Sequence, residues 1–349
     1  MDEGKIDWGK ESVESARFDA DSRVRELRRE LDLTKGKYRA AIDGRHDLEK
    51  KIDFYEKASS KRTRTIAITP KFHSGTAEST VIIQRSDEHP FEIVKPEQIN
   101  GLNESNPDII KKRSTTCSER TMALIDTHRR DTKIKELVIH FGGDSVTGHI
   151  HLDQRLNNAG SPLEECLFAK AMHKTTIDFF LNHGKFDKIH IIGSCGNHSR
   201  ITDKPLHNSF VKYSYEWMLY TMLQEEYQGE EKLNWQIADG YFEFKDIFGF
   251  RCRFHHGYNI RYMGAMGGIA SDAARKIHKW NSPVASNFDF FAHHHTGAYY
   301  GGFVSNGSLL GYTAYAQDLG CQFEPPRQMV TLIGKNKGIR DVSSIYANK

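Results

Sequence analysis

The spacing of apolar residues divides the 349-residue chain near residue 62. Residues 1–62 are rich in Lys, Arg, Glu and Asp, and two sets of positions recur in them every seven residues. The first set is Val24, Leu31, Tyr38, Arg45 and Ile52, and the second is Leu27, Thr34, Ala41, Leu48 and Tyr55. This repeat predicts a helical, coiled-coil-like arm through which the chain forms a homo-oligomer. A solvated, charged helix without a partner is the alternative, because Gly36 and Gly44 each cost a helix about 1 kcal/mol relative to Ala.

From residue 63 onward, short apolar runs typical of strands alternate with longer segments of helical periodicity. The pattern predicts strands at 65–69, 80–84, 136–141 and 188–192, within 235–256 with a turn near Gly249, and at 288–292 and 301–315. It predicts helices at 106–130, 162–183, 209–227 and 269–280. Strands that alternate with helices indicate an α/β fold, so we expect residues 63–349 to form one such domain after the arm.

Composition narrows the class of protein. No apolar run reaches the 18 or so residues that a transmembrane helix needs, so we expect no membrane association. The first residues lack the build of a signal peptide, which predicts a cytoplasmic protein. The five cysteines are scattered without a Cys-x-x-Cys pair, which argues against a disulfide framework and against a thiolate zinc site. A net charge of +3 permits a polyanionic partner without requiring one.

Five short groups of metal-ligating residue types occur in a fixed order, and four of them follow predicted strands. The groups are Ser86–His89, Gly142–Asp144, Gly196–His198, His255–Gly257 and His293–His295. Ligands in open α/β sheets gather where strands end. Carboxylate, amide and imidazole donors suit two adjacent divalent cations, which a shared carboxylate can bridge. The order of these groups therefore predicts a dinuclear metal hydrolase.

Each group contributes at least one predicted ligand. The predicted ligands are Asp87, His89, Asp144, Asn197, His256, His293 and His295. Asp144 follows a strand and two glycines, so we expect it to bridge the two cations and to be central to catalysis. His198 is left free to reach the substrate.

Several neighbouring residues have weaker claims. Arg200, His149 and His151 are candidate substrate contacts, with an ordinary surface role as the alternative. The second Asp-x-His, at residues 126–128, has a helical pattern, so we interpret it as a helix end. Strand alternation predicts that His255 and His294 point away from the cations. The segment 264–268 could meet an anion before a helix, although a plain connecting loop is the favoured interpretation.

Taken in order, the five groups resemble the signature motifs of the calcineurin-like metallophosphoesterases, and most closely those of phage-type relatives of the Mre11/SbcD nucleases. The resemblance covers roughly residues 78–345 and includes the turns at 306–308 and 324–326. It implies a metallophosphoesterase-type β-sandwich flanked by helices, so that 63–349 would be the catalytic domain. It also implies that one cation is held by Asp87, His89, Asp144 and His295, and the other by Asp144, Asn197, His256 and His293.

The resemblance implies that His198 stabilises the transition state or protonates the leaving oxygen. Two positions depart from the family pattern. Ser199-Arg200 follows the histidine where the family often has an acidic residue that orients it, and Ala292 stands where a glycine usually opens the last motif. The orienting partner of His198 is therefore open.

The expected activity is hydrolysis of phosphodiester bonds by metal-activated water, without a covalent enzyme intermediate. A DNA nuclease is the first expectation, with Mn²⁺ as the preferred metal and Fe or Zn as alternatives. A small-molecule phosphatase or cyclic-nucleotide phosphodiesterase would use the same residues, and a binding or assembly protein with a degenerate site is a third interpretation. A phage-encoded enzyme would work in the host cytoplasm. The sequence does not identify an ATPase partner.

Overall fold

The protein is described by a computed structural model in which residues 8–60, 77–261 and 268–348 are placed. The predicted strand at 65–69 and nearly all of the segment 264–268 lie outside these residues. The described residues belong to two units, one formed by the N-terminal helix and the other by residues 77–348.

The first unit is one uninterrupted helix, α1 (Trp8–Ser60), of 53 residues. At 1.5 Å per residue it is about 80 Å long, and it continues through Gly36 and Gly44. The predicted helical arm is confirmed. The apolar residues of the predicted seam are 46–69% exposed within the chain, namely Val24, Leu27, Leu31, Tyr38, Leu48, Ile52 and Tyr55. Oligomerisation through this seam stays a prediction.

The second unit contains two sheets. The six-stranded sheet has the order β11-β10-β1-β2-β3-β4. Its strands are β1 (Glu78–Arg85), β2 (Lys133–Phe141), β3 (Lys188–Gly193), β4 (Leu233–Ile237), β10 (Arg327–Gly334) and β11 (Gly338–Tyr346). Strands β1 to β4 run parallel, whereas β10 and β11 are antiparallel to their neighbours.

The five-stranded sheet has the order β5-β6-β7-β9-β8. Its strands are β5 (Glu243–Ile247), β6 (Phe250–Phe254), β7 (Phe288–Phe291), β8 (Ala298–Tyr299) and β9 (Phe303–Ser305). Strands β6, β7 and β9 are parallel, so their carboxyl ends lie at one edge.

The described part of this unit contains six α-helices. They are α2 (Pro107–His128), α3 (Leu152–Asn157), α4 (Pro162–His183), α5 (Tyr215–Glu226), α6 (Ile269–Asn281) and α7 (Ala314–Asp318). Successive side chains of the central strands point to opposite faces of the sheet, and each face packs in a different layer. One set of side chains forms a core between the sheets: Ile82, Val138, Ile192, Phe254, Phe290 and Val304. The opposite set packs against α2, α4 and α5: Val81, Ile83, Leu137, Ile139, Ile189 and Ile191. On the far side of the second sheet, α6 packs against Phe291 and Phe303.

The expected α/β class, with a β-sandwich flanked by helices, is confirmed. Burial of each large aliphatic side chain contributes about 1.5–3 kcal/mol, so these layers supply most of the driving force for folding.

Two predicted elements need correction. The helix predicted at 209–227 is a 3₁₀ turn (Phe210–Tyr213) followed by α5, because Ser214 caps the amide of Glu216 and starts a new helix. The strand predicted at 301–315 ends at Ser305. Strands β8, β10 and β11 and helices α3 and α7 were not predicted.

Among the described helices, none is long and apolar enough to span a membrane.

Candidate metal centre

The five groups of ligand-type residues meet at one edge of the sandwich. Asp87 follows β1, Asp144 follows β2 and Asn197 follows β3. His256 and His293 follow β6 and β7 of the other sheet. Because the carboxyl ends of these five strands meet at this edge, residues more than 200 positions apart in the chain lie side by side.

Potential ligand atoms form three overlapping groups in the described part of the chain, and within each group they lie within 4.8 Å of one another. The groups are Asp87, His89 and His295; His89, Asp144 and His198; and Asp144, His256 and His293. His89 and Asp144 each belong to two groups. The structure thus brings together every His and Asp that the sequence predicted as a ligand.

Asn197 lies in the same cluster. Its Oδ1 is 3.2 Å from His256 Nε2, which in turn is 3.0 Å from Asp144 Oδ2. His256 Nδ1 is 2.7 Å from the Gly142 carbonyl, which can accept a hydrogen bond from it and so direct Nε2 toward Asp144.

An unusual backbone presents these ligands. Asp87, His89, Asp144, His293 and His295 have φ values of 49°, 40°, 53°, 72° and 51°. Non-glycine residues in this region cost about 1–3 kcal/mol each and persist only where the surroundings hold them in place. Five predicted ligands share this feature, which indicates that the fold tolerates a loss of stability in order to orient their side chains.

The loops that follow β2 and β3 approach each other so closely that the contact requires glycine. A Cβ on Gly143, which has a φ of 90°, would lie 2.5 Å from the Gly196 amide nitrogen. A Cβ on Gly196 would collide with the Asp144 carboxylate. These two glycines therefore allow Asp144 to sit against the loop that carries Asn197 and His198.

The charges of the cluster are strongly coupled. Burial alone would raise the pKa of Asp144, but His256 and His198 outweigh burial and hold it well below its usual range. Burial alone would lower the pKa of His256, but Asp144 raises it to about 9. The pKa of His295 is also raised, because Asp87 outweighs the effect of burial. The centre thus keeps anionic carboxylates among imidazoles, two of which hold their protons more tightly than usual.

This donor set fits divalent cations. It combines carboxylate, imidazole and amide groups without a thiolate, which suits Mn²⁺, Fe or Zn. The buried Nδ1 of His89 makes no hydrogen bond to any described residue. Asp87, His89, Asp144 and His256 are at most 2% exposed, so a cation here would exchange most of its water for protein ligands.

Asp87 is positioned by polar residues from the end of the chain. Ser86 Oγ donates to Asp87 Oδ2 at 2.9 Å, and Asn306 Nδ2 donates to Ser86 Oγ at 2.7 Å. Gln328 Oε1 accepts from the Ser86 amide at 3.0 Å, and Ser308 Oγ donates to the Asp87 carbonyl at 2.9 Å. The turn at 306–308 is thus a support for Asp87. Gln328 had no signal in the sequence.

Glu216 links the loop that follows β2 to the loop that follows β3. Its carboxylate accepts hydrogen bonds from the amides of Ser145 and Gly196 at 2.6 and 2.7 Å and from Ser199 Oγ at 2.7 Å. Burial and the nearby charge of Asp144 raise the pKa of Glu216 to about 7. No local pattern pointed to this role, because Glu216 sits in the first turn of an ordinary helix.

His198 has an orienting partner that the sequence did not reveal. Its Nδ1 lies 3.1 Å from the Thr147 carbonyl and 2.9 Å from Gln154 Nε2. Gln154 belongs to α3, and its Oε1 accepts from the His151 amide at 3.2 Å. When Nδ1 carries a proton it donates to the Thr147 carbonyl, and when it does not it accepts from Gln154 Nε2. Both contacts use Nδ1, which leaves Nε2 available to a substrate. The ring also lies 4.8 Å from that of His89, and His198 forms one of the three groups of potential ligand atoms with His89 and Asp144. Binding of a cation by His198 is therefore the alternative to its predicted role at the substrate.

Of the three candidate substrate contacts, Arg200 and His151 lie near His198. Arg200 is half-buried and donates from Nη1 to the Asn197 carbonyl at 2.8 Å and from Nε to the Thr202 carbonyl at 3.2 Å. The exposed His151 ring is 5.8 Å from that of His198. The half-buried His149 contributes its carbonyl to Arg155 Nε at 2.8 Å. Their contact with a substrate stays a prediction.

Other Asp and His residues that resemble ligands in the sequence lie outside the three groups of potential ligand atoms. The Asp126–His128 segment ends α2, as interpreted from the sequence, and its side chains pair with Arg129 and Asp341. The His255 ring stacks on Phe291 with centroids 5.3 Å apart, outside the three groups.

His294 also lies outside the three groups, but strand alternation is not the reason. Strand β7 ends at Phe291, and the left-handed backbone of His293 and His295 sets the directions instead. Ala292 is fully buried, and its amide donates to the His256 carbonyl at 2.7 Å, so the chain accommodates its methyl group.

No protein-family profile matches this chain, and no curated protein matches it in sequence. Among solved structures, it is similar to wild-type Vps29 complexed with Zn²⁺ from Entamoeba histolytica, with 12% identity and a TM-score of 0.30 over 77% of this chain and 99% of that chain. A predicted phosphoesterase from Streptococcus pneumoniae gives 10% identity and a TM-score of 0.31 over 76% and 98%. The sulfate thiohydrolase SoxB from Thermus thermophilus gives 9% identity and a TM-score of 0.31 over 80% and 57%. At these identities and TM-scores, the functional argument rests on the site itself.

Proposed function

We propose that this protein is a dinuclear metal-dependent phosphoesterase that hydrolyses phosphodiester bonds in DNA. The observation that carries the proposal is that Asp144 and His89 are each shared between adjacent groups of ligand atoms. Two cations about 3.5–4 Å apart, joined by a common carboxylate, are a recurring arrangement in enzymes that cleave phosphate esters.

Two bound cations would supply Lewis acidity that activates water and offsets the charge of the phosphate. Asp87, His89, Asp144 and His295 would hold one cation, and Asp144, Asn197, His256 and His293 the other. Mn²⁺ is the first choice, with Fe or Zn as alternatives.

His198 Nε2 would donate a hydrogen bond or a proton to the leaving oxygen, while Nδ1 either donates to the Thr147 carbonyl or accepts from Gln154 Nε2. Cys195, the cysteine nearest in sequence, is 3% exposed, and burial raises the pKa of its thiol. A buried neutral thiol is a poor nucleophile, which agrees with direct attack by water.

Three features support DNA as the substrate. The ordered ligand groups resemble those of nucleases, and the chain carries a net charge of +3. Arg200 adds a cationic side chain next to the Asn197 loop. Phosphate contacts of this kind release counterions, so DNA binding should weaken as salt is added.

The decisive experiment compares substrates in parallel. The full chain with Mn²⁺ would be incubated with single-stranded DNA, duplex DNA, bis(4-nitrophenyl) phosphate and 4-nitrophenyl phosphate. We expect cleavage of DNA and of the diester in preference to the monoester. Hydrolysis of the monoester alone would instead identify a phosphatase, and no hydrolysis of any of the four would leave a binding protein.

A further inference from the structure

A small cleft that is partly open to solvent lies beside the proposed metal centre. The residues that line it include Asn197, Arg200, Thr202, Leu206, Phe210 and Tyr258, and we call it the side pocket. Asn197 belongs to both places, since its Oδ1 is 3.2 Å from His256 Nε2. The side pocket and the proposed second cation site therefore share a wall.

One wall of the side pocket is aromatic. The rings of Phe210 and Tyr258 have centroids 5.9 Å apart and are inclined by 67°. Tyr241 lies behind them, stacked on Phe210 at 4.7 Å and 5.7 Å from Tyr258. Phe210 and Tyr258 are only half-buried, although each is packed against another ring. This leaves part of the aromatic surface open to the cavity.

The distance to the metal centre suits a group attached to the reacting phosphate. The Tyr258 ring is 6.2 Å from the ring of His256, whose Nε2 contacts Asp144. A phosphate held beside Asp144 is separated from the base of its own nucleotide by a single sugar. The side pocket lies where that base can reach.

The remaining walls favour a flat, uncharged ring and do not distinguish one nucleobase from another. Arg200 is fixed by the carbonyls of Asn197 and Thr202, which places its charge at the pocket without committing all five of its donors. The Thr202 hydroxyl donates to the Lys204 carbonyl, and Leu206 is apolar. Stacking surfaces with few free polar groups accept any base, because every base has a π-face.

We propose that the side pocket is a base-binding subsite that receives one unpaired base of the nucleotide whose phosphate occupies the metal centre. This inference rests on the proposed phosphodiesterase function and adds the substrate class, a nucleotide with its base unstacked. A duplex end would have to fray before its last base entered the pocket.

Equilibrium binding tests the subsite without turnover. Mn²⁺-loaded full-length protein would be titrated calorimetrically with thymidine 5′-monophosphate and, separately, with 2-deoxyribose 5-phosphate, which lacks the base. We expect the nucleotide to bind about tenfold more tightly or better, since stacking of one base accounts for a difference of that order. Equal affinities, including no measurable binding of either ligand, would overturn the proposal.

Variants assign the preference to the aromatic wall. Tyr258→Ala and Phe210→Ala should each bring the ratio of the two affinities close to one, while Tyr258→Phe keeps it. Tyr315→Ala is the matched control, because Tyr315 is 71% exposed and lies on α7. Retained binding of deoxyribose phosphate shows that a variant is folded. Weakening of both ligands by the same factor in both alanine variants would make the rings structural only and refute the subsite.

Hydrolysis separates the two proposals. If the nucleotide is preferred but bis(4-nitrophenyl) phosphate is not cleaved, the phosphodiesterase function fails and the base subsite stands. If the diester is cleaved but the nucleotide and the sugar phosphate bind equally, the subsite fails and the enzyme remains.

Discussion

The metal centre and helix α1 hold their side chains in opposite ways. At the centre, Asp87 and Asp144 are at most 1% exposed, and each is contacted by residues distant in sequence. In α1, the described contacts are local, such as Thr34 Oγ1 donating to the Glu30 carbonyl at 2.7 Å and Lys57 pairing with Asp53 at 2.7 Å.

This difference teaches where a substitution should act. Removing a buried carboxylate leaves histidines and amides without their partner, which costs far more than removing an exposed apolar side chain. Changes at the centre should therefore alter chemistry by orders of magnitude, whereas changes in α1 should alter association and leave chemistry alone.

Loss of Asp144 should have the largest effect. Asp144→Asn removes the proposed bridging charge, so we expect Mn²⁺-dependent hydrolysis of bis(4-nitrophenyl) phosphate to fall about 1000-fold or more. Circular dichroism should show an intact fold, and His256→Ala should behave alike. Asp126→Asn, in the other Asp-x-His, is the control and should keep wild-type activity. Full activity of Asp144→Asn would contradict the ligand assignment.

His198→Ala tests whether this histidine acts on the substrate or on a cation. We expect turnover to fall by about 100- to 10,000-fold, the range for a lost general acid, while Mn²⁺ occupancy measured by calorimetry is kept. Parallel loss of turnover and of metal would instead make His198 a ligand with His89 and Asp144.

Metal binding should depend on pH through protonated imidazole. The pKa of His256 is raised to about 9 because Asp144 outweighs burial, so near neutral pH the ring holds a proton that a cation must displace. The apparent Mn²⁺ affinity should therefore fall as the pH drops below 9, by up to about tenfold per pH unit for each proton released. Anaerobic calorimetry between about pH 6.5 and 8.5 measures this slope. An affinity that is constant across this range would show that no such proton is displaced.

Gln154→Ala should have a smaller effect than loss of His198 itself. Without Gln154, the His198 ring keeps only the Thr147 carbonyl, and we expect about a tenfold lower kcat with little change in KM. Asn157→Ala, an exposed position on the same helix, provides the comparison. An unchanged kcat in the Gln154 variant would show that Thr147 alone orients the ring.

The smallest effect on chemistry is expected from α1. Replacing Leu27 and Leu31 by Glu should lower the molecular mass in solution if these residues form a seam, because the charges would be buried between helices. Hydrolysis of a small diester should stay within about twofold of wild type, since most surface substitutions change little. Leu33→Glu, 68% exposed and outside the seam, is the matched control. An unchanged mass in the seam variant, measured by sedimentation, would rule out the heptad interpretation.

Local signals predicted some elements closely. The helix expected at 162–183 is α4 (Pro162–His183), because Ser161 and Glu164 form a capping box and Pro162 suits the first turn. The helix expected at 209–227 was wrong at Ser214, whose hydroxyl also contacts Ser199 Oγ at 2.7 Å. The N-cap on the Glu216 amide is a local feature that apolar periodicity does not register, and the Ser199 contact adds a partner from another loop.

The C-terminal part was predicted least well. The strand expected to continue to residue 315 ends at Ser305, because Asn306 and Ser308 turn back to support Asp87. Strand β10 was missed, although it pairs with β1 as an antiparallel neighbour. Both outcomes follow from partners more than 200 residues away in the chain.

The sequence by itself determined which donors the centre contains and their order, since residue type and strand-end position are local properties. It also determined that α1 is a helix. Only the tertiary structure decided that Gln154 reaches His198, that Glu216 ties two loops together, and that an aromatic wall stands beside Asn197. The physical reason is that these contacts depend on how two sheets stack and where their strand ends converge, and no local pattern carries that geometry.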